Sequence, residues 1–119
     1  MSRPDRVLSM LSIAAKGRNV VSGEFSVEKA VKTGKAYLVI IAEDASDNTK
    51  KQFSNMCDYY EVPCIIHGIK DDLGNCIGNQ MRASVAVTDF GIAESILKNK
   101  RQIEEMMKTM KENKWISEV

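Results

Sequence analysis

The segment Gly23-Glu-Phe-Ser-Val-Glu-Lys29 has the residue types and spacing best suited to binding an anion. Gly23 opens a predicted helix whose first amides have no acceptors within the helix, so these amides can hold a phosphate group. Lys29 follows about one and a half turns later and adds a positive charge. The segment therefore predicts a phosphate-binding helix N-terminus.

Charged residues around this helix support two interpretations. Arg18 and Lys35 flank the helix at its two ends, so a phosphate backbone would meet backbone amides and cations together. Glu24 and Glu28 oppose phosphate or compete for Lys29. From the residues alone, a phosphate-binding surface and a capped surface helix with scattered charge fit equally well.

The other candidates for chemistry favour a binding protein over an enzyme. His67 is the only histidine and follows an apolar segment, where a structural role is more common than a catalytic one. Cys57, Cys64 and Cys76 are odd in number and lack C-x-x-C spacing, which indicates reduced core thiols rather than a metal site. The sequence has no G-x-x-x-x-G-K-[ST] loop and no G-x-G-x-x-G motif after a strand. We expect no catalysis, metal or cofactor.

An alternative function of another class uses Asp44. Glu43 and Asp44 directly follow an apolar strand, where ligands of open α/β sheets commonly bind. Asp44 could accept a phosphoryl group in a regulatory or protein-interaction module whose output surface is the last helix. Such a module needs further carboxylates for Mg²⁺ near the end of an earlier strand, and the predicted strand at 19–22 has none. The simpler expectation is that both acids orient the loop and favour the next helix N-terminus.

Apolar periodicity and turn residues predict alternating helices and strands. The predicted order is a helix starting near Ser2 and Pro4 and ending at Gly17, a strand at Asn19 to Ser22, a helix from Gly23 to Gly34, a strand at Ala36 to Ala42, a helix capped at Ser46 to Asn48, a strand at Val62 to His67, a helix at Asp71 to Ile77, a strand at Ala83 to Thr88 and a helix capped by Asp89. The pattern predicts an α/β fold, a three-layer α/β/α sandwich with a central four-stranded mixed sheet.

Size and composition indicate one domain. The 119 residues, 44% of them hydrophobic, supply one core but not two. The formal charge is +1, yet residues 1–36 carry seven basic against three acidic side chains, which permits a one-sided basic patch. The N-terminus has no apolar signal segment, and the longest apolar run is too short to span a bilayer. We expect a cytoplasmic protein that does not bind membranes.

The last helix extends from about Lys98 past what a compact domain needs. One of its sides carries the apolar residues Ile103, Met106, Met107 and Met110. This side either packs back on the body or contacts a protein partner or a second copy, because methionine-rich faces adapt to varied shapes. We expect 99–119 to be a helical extension of the domain formed by 1–98.

Three segments together resemble a known family. They are Gly23-Glu-Phe-Ser-Val-Glu-Lys-Ala-Val-Lys-Thr-Gly-Lys-Ala36, Leu38-Val-Ile-Ile-Ala-Glu-Asp44, and Leu73-Gly74 with Gly78. The combination resembles the kink-turn-binding ribosomal proteins of archaeal and eukaryotic large subunits, and in particular their bacterial YlxQ-type branch. The resemblance covers roughly residues 5–98. It implies the same sandwich fold and a non-enzymatic protein that binds structured RNA, with a link to the ribosome or translation.

The resemblance also implies which loops contact RNA: the one entering the Gly23 helix, with that helix's first turns, and the one after Leu73-Gly74. The family motif is Gly-x-Asn-Glu-x-x-Lys, and Phe25 and Ser26 stand here where Asn and Glu are usual. Asn and Glu read base edges through hydrogen bonds, which Phe cannot do. Phe25 either stacks on an exposed base or anchors the turn.

The second loop maps to Gly78-Asn-Gln-Met-Arg82. Asn79 and Gln80 can bond bases, Met81 can cover an unstacked base, and Arg82 can neutralise a phosphate. In this hypothesis the Gly23 amide also contacts phosphate. The predicted RNA-binding residues are Arg18, Gly23, Glu24, Phe25, Ser26, Lys29, Lys35, Asn79, Gln80, Met81 and Arg82.

Overall fold

The computed structural model describes residues 5–117, with side chains described for residues 5–109. Within this part of the chain the helices are α1 (Arg6–Lys16), α2 (Glu24–Lys32), α3 (Asp47–Tyr60), α4 (Lys70–Cys76) and α5 (Phe90–Ser117). The strands are β1 (Val20–Ser22), β2 (Leu38–Ile41), β3 (Cys64–Ile66) and β4 (Ser84–Val87). The alternating order predicted from periodicity is confirmed.

The four strands form one mixed sheet in the order β1-β4-β2-β3. β4 runs antiparallel to both β1 and β2, whereas β2 runs parallel to β3. α1 packs against α4 and α5, while α2 packs against α3, so the helices form two separate layers. The predicted three-layer sandwich is therefore confirmed.

The central strand explains why the helices cover both faces of the sheet. Leu38, Val39, Ile40 and Ile41 are at most 1% exposed, although successive side chains of a strand point to opposite faces. Burial of each such side chain stabilises the fold by about 1.5–3 kcal/mol. All four can be buried only if both faces of the sheet are covered. Four consecutive apolar residues therefore require a helical layer on each face.

Side-chain caps fix where three helices begin. Ser46 and Asp89 accept the amides of Thr49 at 3.1 Å and Ile92 at 2.9 Å, which confirms both predicted caps. The start expected at Ser2 and Pro4 lies outside the described residues. α1 instead begins at Arg6, and its cap is Asp5, whose Oδ1 accepts the Leu8 amide at 3.1 Å.

His67 joins three elements through its two ring nitrogens. Its Nε2 lies 2.7 Å from Asp5 Oδ2, and its Nδ1 lies 3.2 Å from Lys100 Nζ on α5. Burial raises the pKa of Asp5, but hydrogen bonds from the Leu8 amide and His67 outweigh it and leave this pKa below its ordinary value. The expected structural role of the histidine agrees with these contacts.

α5 continues beyond the sandwich after Lys100. Every described side chain from 101 to 109 is exposed. Ile103 is 36% exposed, and Met106 and Met107 are more than half exposed, so these three do not pack back on the body. Met110 lies outside the residues whose side chains are described. Among the described residues, no helix has the length and apolar character needed to cross a membrane.

Candidate RNA interface

The two segments singled out by the sequence meet at one end of the sheet. β1 ends at Ser22 and β4 begins at Ser84, and their antiparallel pairing places these ends side by side. The Gly23 amide donates to the Ser84 carbonyl at 3.1 Å, and Arg82 Nε donates to Ser22 Oγ at 3.1 Å. The start of α2 and the loop before β4 therefore form one surface, the α2–loop surface (residues 23–29 and 78–82).

Gly23 serves this surface through its backbone conformation. Its φ of 90° and ψ of 154° lie in a region that residues with a Cβ rarely adopt, so glycine is needed for the turn into α2. The prediction that its amide contacts phosphate is wrong, because that amide is already donated to Ser84.

The anion-binding amides belong to the next three residues. The first hydrogen bond within α2 runs from the Val27 amide to the Gly23 carbonyl, and no side chain caps the helix. Among the described residues, the amides of Glu24, Phe25 and Ser26 have no acceptor. They lie at the positive end of the helix dipole, where an anion is stabilised. The amides that could hold an anion are thus those of residues 24–26, one residue further along than the Gly23 amide.

Glu24 and Glu28, which could oppose phosphate or compete for Lys29, both contact other side chains. Glu28 pairs with Lys32 at 2.7 Å, and this hydrogen bond raises the pKa of Lys32. Glu24 Oε1 accepts a hydrogen bond from Gln52 Nε2 of α3 at 3.2 Å. Lys29 is exposed and has no ion pair with any residue in the described part of the chain. Its charge is therefore available to a ligand.

Phe25 lies on the exposed face of α2 rather than in the core. It is 78% exposed, so it does not anchor the turn. Together with Glu28, Lys29, Lys32 and Thr33 it lines a shallow groove of about 300 Å³. Lys32 is paired with Glu28, so the aromatic ring and the unpaired Lys29 ammonium are the groups that match a base and its neighbouring phosphate.

The loop after α4 is held by the Leu-Gly pair. Leu73 is fully buried, and a Cβ built at Gly74 would clash with the Gln80 carbonyl. The Asn79 amide donates to the Gly74 carbonyl at 2.9 Å. The loop backbone therefore packs directly on α4 and leaves the side chains of Asn79, Gln80 and Met81 exposed.

The Arg82 side chain connects the loop before β4 with the end of β1. Its Nη1 donates to the Met81 carbonyl at 3.0 Å, its Nε donates to Ser22, and its amide donates to the Lys70 carbonyl at 3.1 Å. Two of the five N–H groups of its guanidinium are used within the protein, and the residue is half-buried. Arg82 therefore ties the two segments together and keeps N–H groups that can reach a phosphate.

Arg18 and Lys35 lie away from the α2–loop surface. Arg18 adjoins Asn19, whose carbonyl accepts the Thr88 amide, and Lys35 precedes Tyr37, whose amide donates to Val87. Both residues are therefore at the far end of β4, about 10 Å along the strand from Ser84. The structure does not bring them together with the other predicted RNA-binding residues.

Asp44 caps a helix, but a different one from the next helix that the simpler expectation named. Its Oδ1 accepts the amide of Lys70, the first residue of α4, at 2.9 Å. The helix concerned is α4, which is not the next along the chain. Within the described ranges, no cluster of three or more His, Cys, Asp or Glu side chains could hold a metal ion. This geometry gives the phosphoacceptor alternative no support.

Two residues that adjoin the α2–loop surface were not predicted from the sequence. Lys32 lies seven residues after Phe25, which places both on the same face of α2. This spacing could have identified Lys32 from the sequence. Ser22 receives the Arg82 side chain, a contact between residues sixty positions apart that no local pattern signals.

Comparison with known proteins decides the family. The sequence model of the ribosomal protein L7Ae/L30e/S12e/Gadd45 family matches residues 5–97. The chain belongs to this family. The resemblance inferred from the Gly23 and Leu38 segments is thereby confirmed, and the matched range contains the whole α2–loop surface.

Relatives within the L7Ae family include bacterial and archaeal proteins. RNA-binding protein YlxQ of Bacillus subtilis (strain 168) is 42% identical over 88 residues, which cover 74% of this chain and 88% of YlxQ. Large ribosomal subunit protein eL8 of Thermoplasma volcanium is 28% identical over 95 residues, 79% of this chain and 78% of eL8. A solved structure of a protein with unknown function from Bacillus halodurans C has a TM-score of 0.77 at 35% identity, covering 80% of this chain and 96% of that one. The names of YlxQ and eL8, an RNA-binding protein and a ribosomal protein, agree with the prediction of a non-enzymatic protein.

Proposed function

We propose that this L7Ae-family chain binds structured RNA and recognises a kink-turn or bulged duplex, in association with the ribosome or translation. The observation that carries the proposal is the joining of two segments into the α2–loop surface. That surface combines acceptor-free amides, an unpaired lysine and exposed flat or flexible side chains. The names of its relatives, an RNA-binding protein and a ribosomal protein, support the same ligand class.

Each chemical feature of a bent RNA has a counterpart on the surface. The amides of 24–26 and the Lys29 ammonium receive phosphate oxygens, which position the RNA without reading sequence. Phe25 and Met81, 78% and 58% exposed, cover bases that a bulge leaves unstacked. Asn79 and Gln80 offer amide groups to base edges.

Phe25 and Ser26 direct the mode of recognition toward shape. With the usual Asn and Glu replaced, α2 has fewer groups that read base edges, and its contacts rest on stacking and phosphate. A regular duplex keeps its bases stacked and offers nothing to Phe25. The chain should therefore prefer a bent or bulged RNA while tolerating changes in the bulged sequence.

Mapping of backbone amide NMR shifts on addition of a kink-turn RNA tests the proposal. We expect the largest shifts at 24–26 and 79–82, with Lys29 close behind. Residues near Arg18 and Lys35 serve as the internal control, because they lie at the other end of β4. Shifts concentrated at that other end, or no shifts, would contradict the proposal.

The expected contacts of α5 with a protein partner or a second copy stay a prediction, as does the cytoplasmic location. Ile103, Met106 and Met107 are exposed on the part of α5 beyond the sandwich, which leaves them accessible. Measuring the mass of the purified chain in solution by light scattering addresses self-association directly.

A further inference from the structure

A second surface lies at the end of the sheet away from the α2–loop surface. There the residues before β2, before β3 and after β4 come together with the first turns of α5 and enclose a groove of about 370 Å³. Its apolar lining includes Tyr37, Val62, Pro63, Phe90 and Leu97. We call this feature the distal groove.

Two aromatic rings in the distal groove remain exposed to solvent. Tyr37 and Phe90 meet edge to face, with ring centroids 5.7 Å apart and an interplanar angle of 79°. Tyr37 is 43% exposed and Phe90 62% exposed, although each ring could bury far more area against a partner. Exposed aromatics that line a concavity are typical of an interaction site rather than of an ordinary surface.

The charges in the groove discriminate between classes of partner. Glu61 and Glu94 both line it and are exposed, and no lysine or arginine is among the described lining residues. Lys35 adjoins the groove next to Ala36 without lining it. Two carboxylates repel the phosphates of a nucleic acid and attract lysine or arginine. The aromatic rings also favour a cation placed over their faces.

We propose that the distal groove binds a segment of a partner polypeptide in which an aromatic or branched apolar side chain is flanked by lysine or arginine. The apolar side chain fills the space between Tyr37, Pro63 and Phe90, and the flanking cations pair with Glu61 and Glu94. The inference stands independently of RNA binding. Because the two surfaces lie at opposite ends of β4, one chain can hold RNA and a partner together.

NMR titration with designed peptides tests this proposal. The probe is acetyl-Gly-Lys-Leu-Phe-Lys-Gly-amide, and matched peptides replace either both lysines by glutamate or Leu-Phe by Ser-Ser. We expect the first peptide to shift Tyr37, Phe90 and Glu94 resonances in a saturable way, and each matched peptide to bind about tenfold or more weakly. No saturable shift, or equal binding of the glutamate peptide, would overturn the proposal.

Variants of the full chain locate the binding and its charge preference. Phe90→Ser should weaken binding of the lysine peptide about tenfold. Tyr59→Ser changes an 80% exposed aromatic residue outside the groove and should leave the affinity for this peptide unchanged. The double change of Glu61→Lys and Glu94→Lys should reverse the preference toward the glutamate peptide. An equal loss of affinity in the Tyr59 variant would contradict binding in the distal groove. A preference for the lysine peptide that remains after the charge reversal would contradict the role of Glu61 and Glu94.

A titration with a single-stranded RNA tests nucleic acid as the alternative ligand of the distal groove. We expect the RNA to leave the Tyr37 and Phe90 resonances unchanged while it shifts residues of the α2–loop surface. Saturable RNA shifts in the distal groove would overturn the proposal of a polypeptide partner. Thermal unfolding of each variant verifies that the chain remains folded.

Discussion

At the scale of single residues, the proposed RNA binding assigns phosphate contacts and base contacts to different side chains of the α2–loop surface. Lys29 is an exposed cation whose neighbouring acid, Glu28, is already paired with Lys32. Phe25 is an exposed ring on the same face of α2. The first contributes charge without sequence information, and the second contributes stacking, so their removal should have separable effects on RNA binding.

We expect Lys29→Ala to weaken binding across many RNA sequences and to lower the slope of log affinity against log salt by about one unit. The change removes one phosphate contact and leaves base contacts intact. Binding measured at several salt concentrations gives the slope. Lys35→Ala is the matched control, since Lys35 is an exposed lysine at the other end of the sheet, and an equal decrease in slope there would contradict this assignment.

Phe25→Ala should weaken binding of a bulged RNA by about 1–3 kcal/mol, the usual contribution of one stacked base. The free energy of unfolding should change by less than about 0.5 kcal/mol, because the ring is 78% exposed. RNA titration and urea unfolding measure the two quantities. A large loss of stability with unchanged RNA affinity would show that the ring anchors the turn instead.

At the scale of elements, the position of the loop after α4 depends on contact between backbones. The loop after α4 approaches Gly74 so closely that no side chain fits between them. The Arg82 side chain then ties this loop to Ser22 at the end of β1. Two segments far apart in sequence are thus held in one geometry before any ligand binds, which lowers the entropic cost of binding.

Gly74→Ala should destabilise the chain by about 1–3 kcal/mol through overpacking against the Gln80 carbonyl. RNA affinity should decrease as well, because the loop must shift. Gly91→Ala is the matched control: its Cβ would meet only Asp89 Oδ2, at an ordinary 3.5 Å, so α5 should keep or gain stability. Urea unfolding that ranks the two variants equally would contradict this explanation of the Leu-Gly pair.

Local signals along the chain predicted most of the elements and few of the contacts between them. The caps Ser46 and Asp89 and the central strand follow from residue types that act on their own neighbours. The predicted strand at 36–42 is shorter in the structure, Leu38–Ile41, because pairing with β3 and β4 decides its ends. Apolar periodicity carries no information about strand order, which is what places Arg18 and Lys35 at the other end of the sheet.

The candidate site was also predictable only in part, in its local features but not in its long-range contacts. The helix N-terminus and Lys29 follow from spacing, and the second loop follows from family resemblance. The use of the Gly23 amide by Ser84 and of Arg82 by Ser22 depends on β1 pairing with β4. These long-range contacts determine which predicted groups remain free for a ligand.

At the scale of the whole molecule, one buried histidine connects the start of α1 with α5. Asp5 and Lys100 contact opposite nitrogens of His67, and α5 leaves the sandwich just after Lys100. The pKa of Asp5 lies below its ordinary value of 3.8, so its charged form stabilises the fold. This stability is fully present above that pH and is lost as the pH falls through the lower pKa of the folded state.

We therefore expect Asp5→Asn to reduce the free energy of unfolding near neutral pH, and this difference from the parent chain to shrink as the pH falls below 3.8. Asparagine keeps an oxygen that can cap α1 but removes the charge facing His67. Urea unfolding at several pH values measures the difference. A difference that is constant over this range would contradict a contribution from the Asp5 charge.

The central claim is that the chain recognises bent RNA, and a paired titration tests it most directly. The purified chain is titrated with a kink-turn RNA and with an unbent duplex of equal length, each at two salt concentrations. We expect clear preference for the kink-turn, retained at the higher salt, because stacking and base contacts do not depend on counterion release. Equal affinity for both RNAs, lost together as salt rises, would mean generic phosphate attraction and would contradict the proposed recognition of RNA shape.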